Sequence, residues 1–118
     1  MSDVLVVDDE PEVRNLLGAL ISEYGVTPAL AADGEEALSL IERGLRPRLV
    51  ITDLRMPRLG GVELAAALNA RFRDDPPAVA LMSADHQWLD DVEGVVAKLP
   101  KPFSAEAIEQ VITQYCMS

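Results

Sequence analysis

The sequence is poor in cysteine and in long apolar runs, and each shortage excludes a class of protein. Its 118 residues include one cysteine, Cys116, so an internal disulfide and a cysteine-based metal cluster are excluded. The apolar run from Val4 to Val7 is too short for a signal peptide, and no segment approaches the roughly 20 apolar residues of a membrane span. We therefore expect a cytoplasmic protein that does not enter a membrane.

Positive charge is also scarce. Ten lysines and arginines stand against twenty aspartates and glutamates, which gives a formal net charge of −10. Nonspecific binding to nucleic acid needs cationic side chains that displace phosphate counterions, so direct binding to nucleic acid is not expected. A chain of this length forms one domain that buries roughly two-thirds of the surface its unfolded form exposes. We predict a single domain over residues 1–118.

Short apolar runs and helix-spaced apolar residues alternate along the chain. The runs predict five strands: Val4–Val7, Thr27–Ala31, Leu49–Thr52, Ala78–Met82 and Val95–Leu99. Five helices are predicted to follow them, and the fourth, around residues 86–92, is short and weakly patterned. Such alternation produces right-handed crossovers and a parallel sheet with helices on both faces. The predicted fold is a doubly wound, flavodoxin-like α/β sheet with strand order 2-1-3-4-5.

Residues at the helix ends support these assignments. Pro11 opens the first helix, where its missing N–H costs nothing, and Gly25 and Gly44 end the first two helices. Asp33 and Ser104 are predicted N-caps. The first helix is expected to turn five apolar residues inward, namely Val13, Leu16, Leu17, Leu20 and Ile21.

Polar residues that suit phosphoryl transfer follow the predicted strands. Asp8 and Asp9 come after the first strand, Asp53 after the third, Ser83 after the fourth and Lys101 after the fifth. The carboxyl ends of parallel strands meet at one edge of the sheet, so three carboxylates converge there and must be compensated. Mg²⁺ suits a few carboxylates with water and phosphate oxygens, and a carboxylate can accept a phosphoryl group. The set predicts a magnesium-dependent phosphoryl-transfer site.

Lysine is rare in the chain, which makes Lys101 informative. Only two of the ten basic residues are lysine, and the other eight are arginine. A site that needs one compact positive charge, rather than the two parallel hydrogen bonds of an arginine guanidinium, favours lysine.

The ordered motifs resemble those of one family. Val6-Val7-Asp8-Asp9-Glu10, Asp53-Leu54-Arg55-Met56-Pro57 with Gly61, Ser83-Ala84 and Lys101-Pro102-Phe103 together resemble the CheY-like receiver domain of two-component response regulators. The resemblance covers essentially the whole chain. It implies a signalling switch that accepts phosphate and changes partner binding, and that catalyses nothing beyond its own phosphorylation and dephosphorylation.

The resemblance also implies roles for individual residues. Asp53 would accept a phosphoryl group from the phosphohistidine of a histidine kinase or phosphotransfer protein. Asp9, Asp53 and the backbone carbonyl of Arg55 would ligate Mg²⁺, with Asp8 acting through water.

At the phosphoryl group itself, Ser83 would donate a hydrogen bond and Lys101 would pair with its charge. The peptide bond between Lys101 and Pro102 would be cis, as X–Pro bonds can be at modest cost.

The chain departs from the family pattern in three places, of which the first has little consequence and the last two concern the output side. Gly60 stands where the family usually has aspartate, Lys98 stands at the position of a switching aromatic, and the interval from Ser83 to Lys101 is about one helical turn short. Burying an unpaired ammonium is costly, so we expect Lys98 to face solvent. Phosphorylation is then not expected to drive dimerisation through the fourth helix, fifth strand and fifth helix. The loops near Asp53 and Ser83, with Trp88, would contact the partner instead.

Three other interpretations fit parts of the pattern. A flavin carrier shares the architecture but needs a phosphate-binding loop after the first strand, where this chain has three acids. An aspartate-nucleophile phosphatase needs two acids spaced by one residue there. Asp8 and Glu10 have that spacing, but a glutamate in the second place and the complete receiver set elsewhere argue against this interpretation. A degenerate receiver that acts only as an interaction module would lose an acid or the lysine, and this chain has lost neither.

Overall fold

The computed structural model describes residues 3–54, 56, 59–83, 95–100 and 103–116. Nine elements lie within them: β1 Val4–Val7, α1 Pro11–Ser22, β2 Pro28–Ala31, α2 Gly34–Glu42, β3 Leu49–Asp53, α3 Gly61–Arg71, β4 Ala78–Ser83, β5 Val95–Pro100 and α4 Ala105–Tyr115. The short helix predicted around residues 86–92 lies outside the described residues. So do Arg55, Trp88, Lys101 and Pro102.

The five strands form one parallel sheet in the order β2-β1-β3-β4-β5. The predicted fold class and strand order are therefore confirmed. The β1 strand lies between β2 and β3, and all four of its residues are completely buried. Its unbroken apolar sequence is what a strand covered on both faces requires.

Alternate residues of the strands point into two separate cores. Val4, Val6 and Ile51 pack under α1 and α4, whereas Leu5 and Val50 pack under α2 and α3. Each fully buried leucine, isoleucine or valine contributes about 1.5–3 kcal/mol relative to an exposed one. The sheet is thus held from both faces, and its edges remain available for the polar residues that follow the strands.

The helix boundaries agree with the predicted signals. The Asp33 carboxylate accepts a hydrogen bond from the Glu36 N–H at 2.9 Å, and the Ser104 hydroxyl oxygen accepts one from the Ala107 N–H at 3.1 Å. Two turns beyond helix ends use glycine at positive φ, 78° at Gly25 and 115° at Gly44. None of the helices in the described ranges is long and apolar enough to span a bilayer.

The prediction for the inward face of α1 was wrong at Leu16. This side chain is 53% exposed, whereas Leu17, Gly18 and Ile21 are buried. Successive side chains of a helix differ in direction by about 100° around its axis, so Leu16 points away from the sheet when Leu17 points straight at it. The Gly18 side of α1 faces β2 instead, at ordinary contact distance, since a Cβ there would lie 3.4 Å from Leu30 Cδ2.

The strands after β2 run one residue further than predicted. β3 includes Asp53, β4 includes Ser83 and β5 includes Pro100. Asp53 pairs with Met82, and the Leu54 N–H donates to the Met82 carbonyl at 2.8 Å, so the ladder continues through the first polar residue. Asp53 and Ser83 are therefore held by the sheet itself.

Candidate functional site

The register of the sheet brings Asp8 and Asp53 to the same level. Val7 pairs with Thr52 on the neighbouring strand, and the two aspartates are the next residues of each chain segment. Adjacent strands lie about 4.8 Å apart, so the two residues stand next to each other at the carboxyl edge of the sheet. Asp8 is completely buried and Asp53 is partly buried.

Local hydrogen bonds fix Asp8 in place. Its N–H donates to the Ala31 carbonyl at 3.1 Å, and its Oδ1 accepts from the Glu10 N–H at 2.9 Å. The Arg14 guanidinium donates to the Asp8 backbone carbonyl at 2.8 Å. Arg14 was not among the predicted site residues, and it holds the turn that carries the acids although it lies one turn inside α1.

Three carboxylates gather after β1. Oxygens of Asp8, Asp9 and Glu10 lie within 4.8 Å of one another, and the latter two side chains are exposed. The ligands of an octahedral Mg²⁺ lie about 3–4 Å apart, so this oxygen-only donor set fits the ion. Glu10 was not predicted as a ligand, although its place directly after two aspartates was a visible signal.

Ser83 ends β4, the strand next to the one that carries Asp53. It directly follows Met82, the partner of Asp53, and only 5% of it is exposed. Thr52 lies fully buried before Asp53 and donates its hydroxyl to the Asp53 carbonyl oxygen at 3.1 Å. The described structure thus brings Asp8, Asp9, Asp53 and Ser83 to one edge. The predicted roles of Arg55, Lys101 and Pro102 fall on residues outside it.

The loop after Asp53 is closed by the N-terminus of α3. The Gly61 N–H donates to the Leu54 carbonyl at 3.0 Å. A Cβ at Gly61 would overlap the Asp53 backbone oxygen and would lie 2.8 Å from Leu81 Cδ2. Glycine is required here because the helix approaches the strand end that carries Asp53.

Replacing Gly61 with alanine is expected to lower the free energy of unfolding by about 2–3 kcal/mol, because backbone rather than a flexible side chain must move. Denaturant unfolding followed by circular dichroism measures the change. Gly18→Ala is the matched control: its nearest neighbour is at ordinary contact distance, and it should be neutral or stabilising by up to about 1 kcal/mol. Equal effects of the two substitutions would contradict the close approach at Gly61.

A family model described as the response regulator receiver domain matches residues 4–113. The chain belongs to the family of response regulator receiver domains. This confirms the family indicated by the motifs. Phosphorelay signalling, phosphorylation on aspartate and Mg²⁺ binding are general features of such domains, which act as signalling switches rather than as conventional enzymes.

Relatives of this receiver domain differ in length. It is 32% identical over 130 residues to an uncharacterised 14.6 kDa protein of Leptolyngbya boryana and spans 91% of it. It is 38% identical over 115 residues to a positive alginate biosynthesis regulatory protein of Pseudomonas aeruginosa and spans 45% of that chain. The second relative is thus more than twice as long as the segment that it shares.

A solved structure with the same fold is that of the response regulator protein TrrA from Thermotoga maritima, determined in complex with Mg²⁺ and BeF. It superimposes with a TM-score of 0.85 at 30% identity, and the alignment covers 98% of this chain and 99% of that one.

Lys98 lies on β5 of the receiver domain, paired with Leu81, and its side chain is exposed. This exposure agrees with our prediction for Lys98, which was based on the cost of burying an unpaired ammonium group. The expectation that phosphorylation does not cause dimerisation through this face stays a prediction.

Proposed function

We propose that this receiver domain is a phosphoacceptor switch in which Asp53 takes a phosphoryl group from a phosphohistidine in a Mg²⁺-dependent reaction. The observation that supports it most directly is the sheet register. It places Asp53 at the end of β3, level with the buried Asp8 and next to the nearly buried Ser83. A carboxylate held on the sheet, rather than on a loose loop, is oriented for attack on a phosphorus atom.

The proposed step forms one bond and breaks one. A carboxylate oxygen of Asp53 attacks phosphorus, the phosphorus–nitrogen bond of phosphohistidine breaks, and the electron pair returns to the imidazole nitrogen. Ser83 would donate its hydroxyl to a phosphoryl oxygen, and Lys101 would pair with the remaining charge.

The carboxylates around Asp53 need a cation for this chemistry. Asp8, Asp9, Asp53 and the carbonyl of Arg55 would hold Mg²⁺, with Glu10 close enough to contribute. The bound ion supplies neutralisation of charge on the transferring group. The complex of the related TrrA with Mg²⁺ and BeF supports this choice of ion.

Intact mass tests the proposal directly. Incubation of the protein with acetyl phosphate and Mg²⁺ should add the mass of one phosphate, and EDTA should prevent the addition. A chain that stays unlabelled with Mg²⁺ present would favour the alternative, a degenerate receiver that acts only as an interaction module.

The exposed face of α1 is the proposed contact for a protein phosphodonor. This helix begins at Pro11, directly after the three acids, and carries Leu16 with half of its surface exposed. An exposed leucine close to a reactive site is suited to burial against a partner helix. A donor seated on this face would have its phosphohistidine near Asp53.

Leu16→Ser is expected to slow phosphotransfer from a protein donor about tenfold, the effect of losing one apolar anchor at an interface. Labelling by acetyl phosphate should not change, because the small donor does not touch α1. Rates with a phosphorylated kinase from the same organism, compared with acetyl phosphate, provide the measurement. Val96→Ser, at an exposed apolar position on β5, is the control. Equal slowing by both donors would contradict the docking role of Leu16.

A further inference from the structure

The edge of the sheet opposite the carboxylates carries most of the arginines. Helices run back from the carboxyl edge, so the ends of α2 and α3 lie beside the starts of β3 and β4. Residues 42–48 and 71–78 contain five of the eight arginines and three carboxylates, and Asp3, whose carbonyl accepts from the Arg48 N–H, adds a fourth, so the local charge is +1 in a chain of −10. An acidic ligand is therefore repelled by most of the surface and attracted at this edge.

A cavity of about 740 Å³ opens between these two segments. Its lining includes three prolines, Phe72, Tyr115 from α4, Arg46, Arg48 and Asp75. Its volume falls within the roughly 300–1,000 Å³ of ligand-binding cavities. Proline and aromatic walls lose little conformational freedom when a ligand binds, so the cavity is preorganised.

Arg46 forms a fixed wall of this cavity. Its guanidinium donates to the carbonyls of Ile41 and Leu45, both at 2.8 Å, and lies 5.0 Å from the centre of the Phe72 ring. The Ile41 carbonyl belongs to the last turn of α2 and the Leu45 carbonyl lies in the loop after it, so two of the five N–H groups of the Arg46 guanidinium are used to hold this helix end. Arg46 is thus held against the protein and shapes the cavity wall, so the main cation of a ligand site is expected at a second arginine.

Arg48 is that cation. Its N–H donates to the Asp3 carbonyl at 2.8 Å and its carbonyl accepts from the Ala78 N–H at 2.9 Å, so its backbone is fixed between two strands. Its side chain is exposed, and within the described residues it has no ion pair. Burial raises the pKa of the Cys116 thiol at the end of α4, the charge of Asp3 raises it further, and the charge of Arg48 lowers it.

We propose that this cavity binds a short acidic peptide segment of a partner protein, with a carboxylate paired to Arg48 and an apolar side chain between the prolines and the two rings. A phosphate-bearing ligand fits less well. The helix ends at this edge are C-terminal, so they present carbonyls and partial negative charge rather than the N–H groups that hold phosphate. Asp75 in the lining also opposes a dianion more than a single carboxylate.

Fluorescence anisotropy with a labelled peptide of sequence Glu-Glu-Phe-Pro-Glu-Glu tests the proposal on the whole protein. We expect saturable binding that weakens as salt is raised, since an exposed ion pair is screened. The twin peptide with lysine in place of every glutamate should not bind. Arg48→Gln should weaken binding about tenfold, the loss of one charge-assisted hydrogen bond.

Arg73→Gln is the matched control, because it removes the same charge from the same edge at a residue outside the cavity. Its effect should stay under twofold. Tyr115→Leu removes a ring while keeping all charges and should also weaken binding, which keeps the test valid if Arg48→Gln folds poorly. Acetyl phosphate labelling of each variant should match the wild type, since the site of phosphorylation is at the other edge.

Any of three results with the peptides would overturn the proposal. These are no binding of the acidic peptide at millimolar concentration, equal weakening by Arg73→Gln and Arg48→Gln, or binding of the lysine peptide as well. Binding of inorganic polyphosphate or ATP that requires Arg48, without binding of the peptide, would also overturn it and would identify a phosphate ligand.

Discussion

Replacing Asp53 with asparagine is expected to abolish phosphorylation. The amide keeps the size and the strand position of Asp53 but removes the nucleophilic carboxylate, so no acyl phosphate can form. Wild-type protein incubated with acetyl phosphate and Mg²⁺ should gain one phosphate that is stable in acid and labile in base. Intact mass and peptide mapping measure both results, and we expect a complete loss rather than a reduction.

Asp74→Asn is the control for this experiment, because Asp74 is an exposed carboxylate at the opposite edge of the sheet. It should be labelled like the wild type. Circular dichroism of Asp53→Asn should show an unchanged fold, since the residue ends a strand and its backbone pairing with Met82 does not depend on the side chain. Unchanged labelling in Asp53→Asn would falsify the assignment.

Sequence periodicity was sufficient to predict the strands of the sheet and the helices between them, because each sequence signal for these elements is local. The apolar run of β1, the Asp33 cap and the glycines after α1 and α2 each act within a few residues, and the structure has all of them as predicted. The convergence of Asp8, Asp53 and Ser83 then follows from parallel strands alone. The strand ends were misplaced by one residue, since hydrophobicity does not report that a polar residue can remain in a hydrogen-bonded ladder.

Features that depend on the packing between elements were not predictable in the same way. Five apolar residues of α1 fit one helical stripe, but the helix turns Leu17 to the sheet, which leaves Leu16 exposed. The hydrogen bond from Arg14 to the Asp8 carbonyl depends on how tightly the turn before α1 closes. The cavity at the opposite edge joins residues from three distant segments of the chain, including Phe72 and Tyr115, and no short motif indicates it.

Magnesium is expected to stabilise the wild type because three carboxylates lie within 4.8 Å of one another after β1 and repel, and Asp53 ends the neighbouring strand. An ion that binds only the folded state stabilises it by mass action, by about 1.4 kcal/mol at ten times the dissociation constant. For a domain of this size that corresponds to a rise of roughly 4–8 °C in melting temperature. Thermal unfolding in roughly 0–20 mM MgCl₂ measures the shift. The ionic strength is held constant so that charge screening does not change.

Asp9→Ala should separate the repulsion from the binding. Removing one exposed carboxylate relieves the cluster, so the protein without Mg²⁺ should melt a few degrees higher than the wild type, while the rise caused by Mg²⁺ should disappear. Asp74→Ala removes the same charge at the other edge and should preserve the full Mg²⁺ response, which excludes a general effect of net charge. A wild type whose melting temperature does not respond to Mg²⁺, or an Asp9→Ala variant that responds as strongly as the wild type, would show that these carboxylates do not hold the ion. The acids after β1 are therefore expected to lower the stability of the unliganded protein and, through the same repulsion, to favour the bound ion.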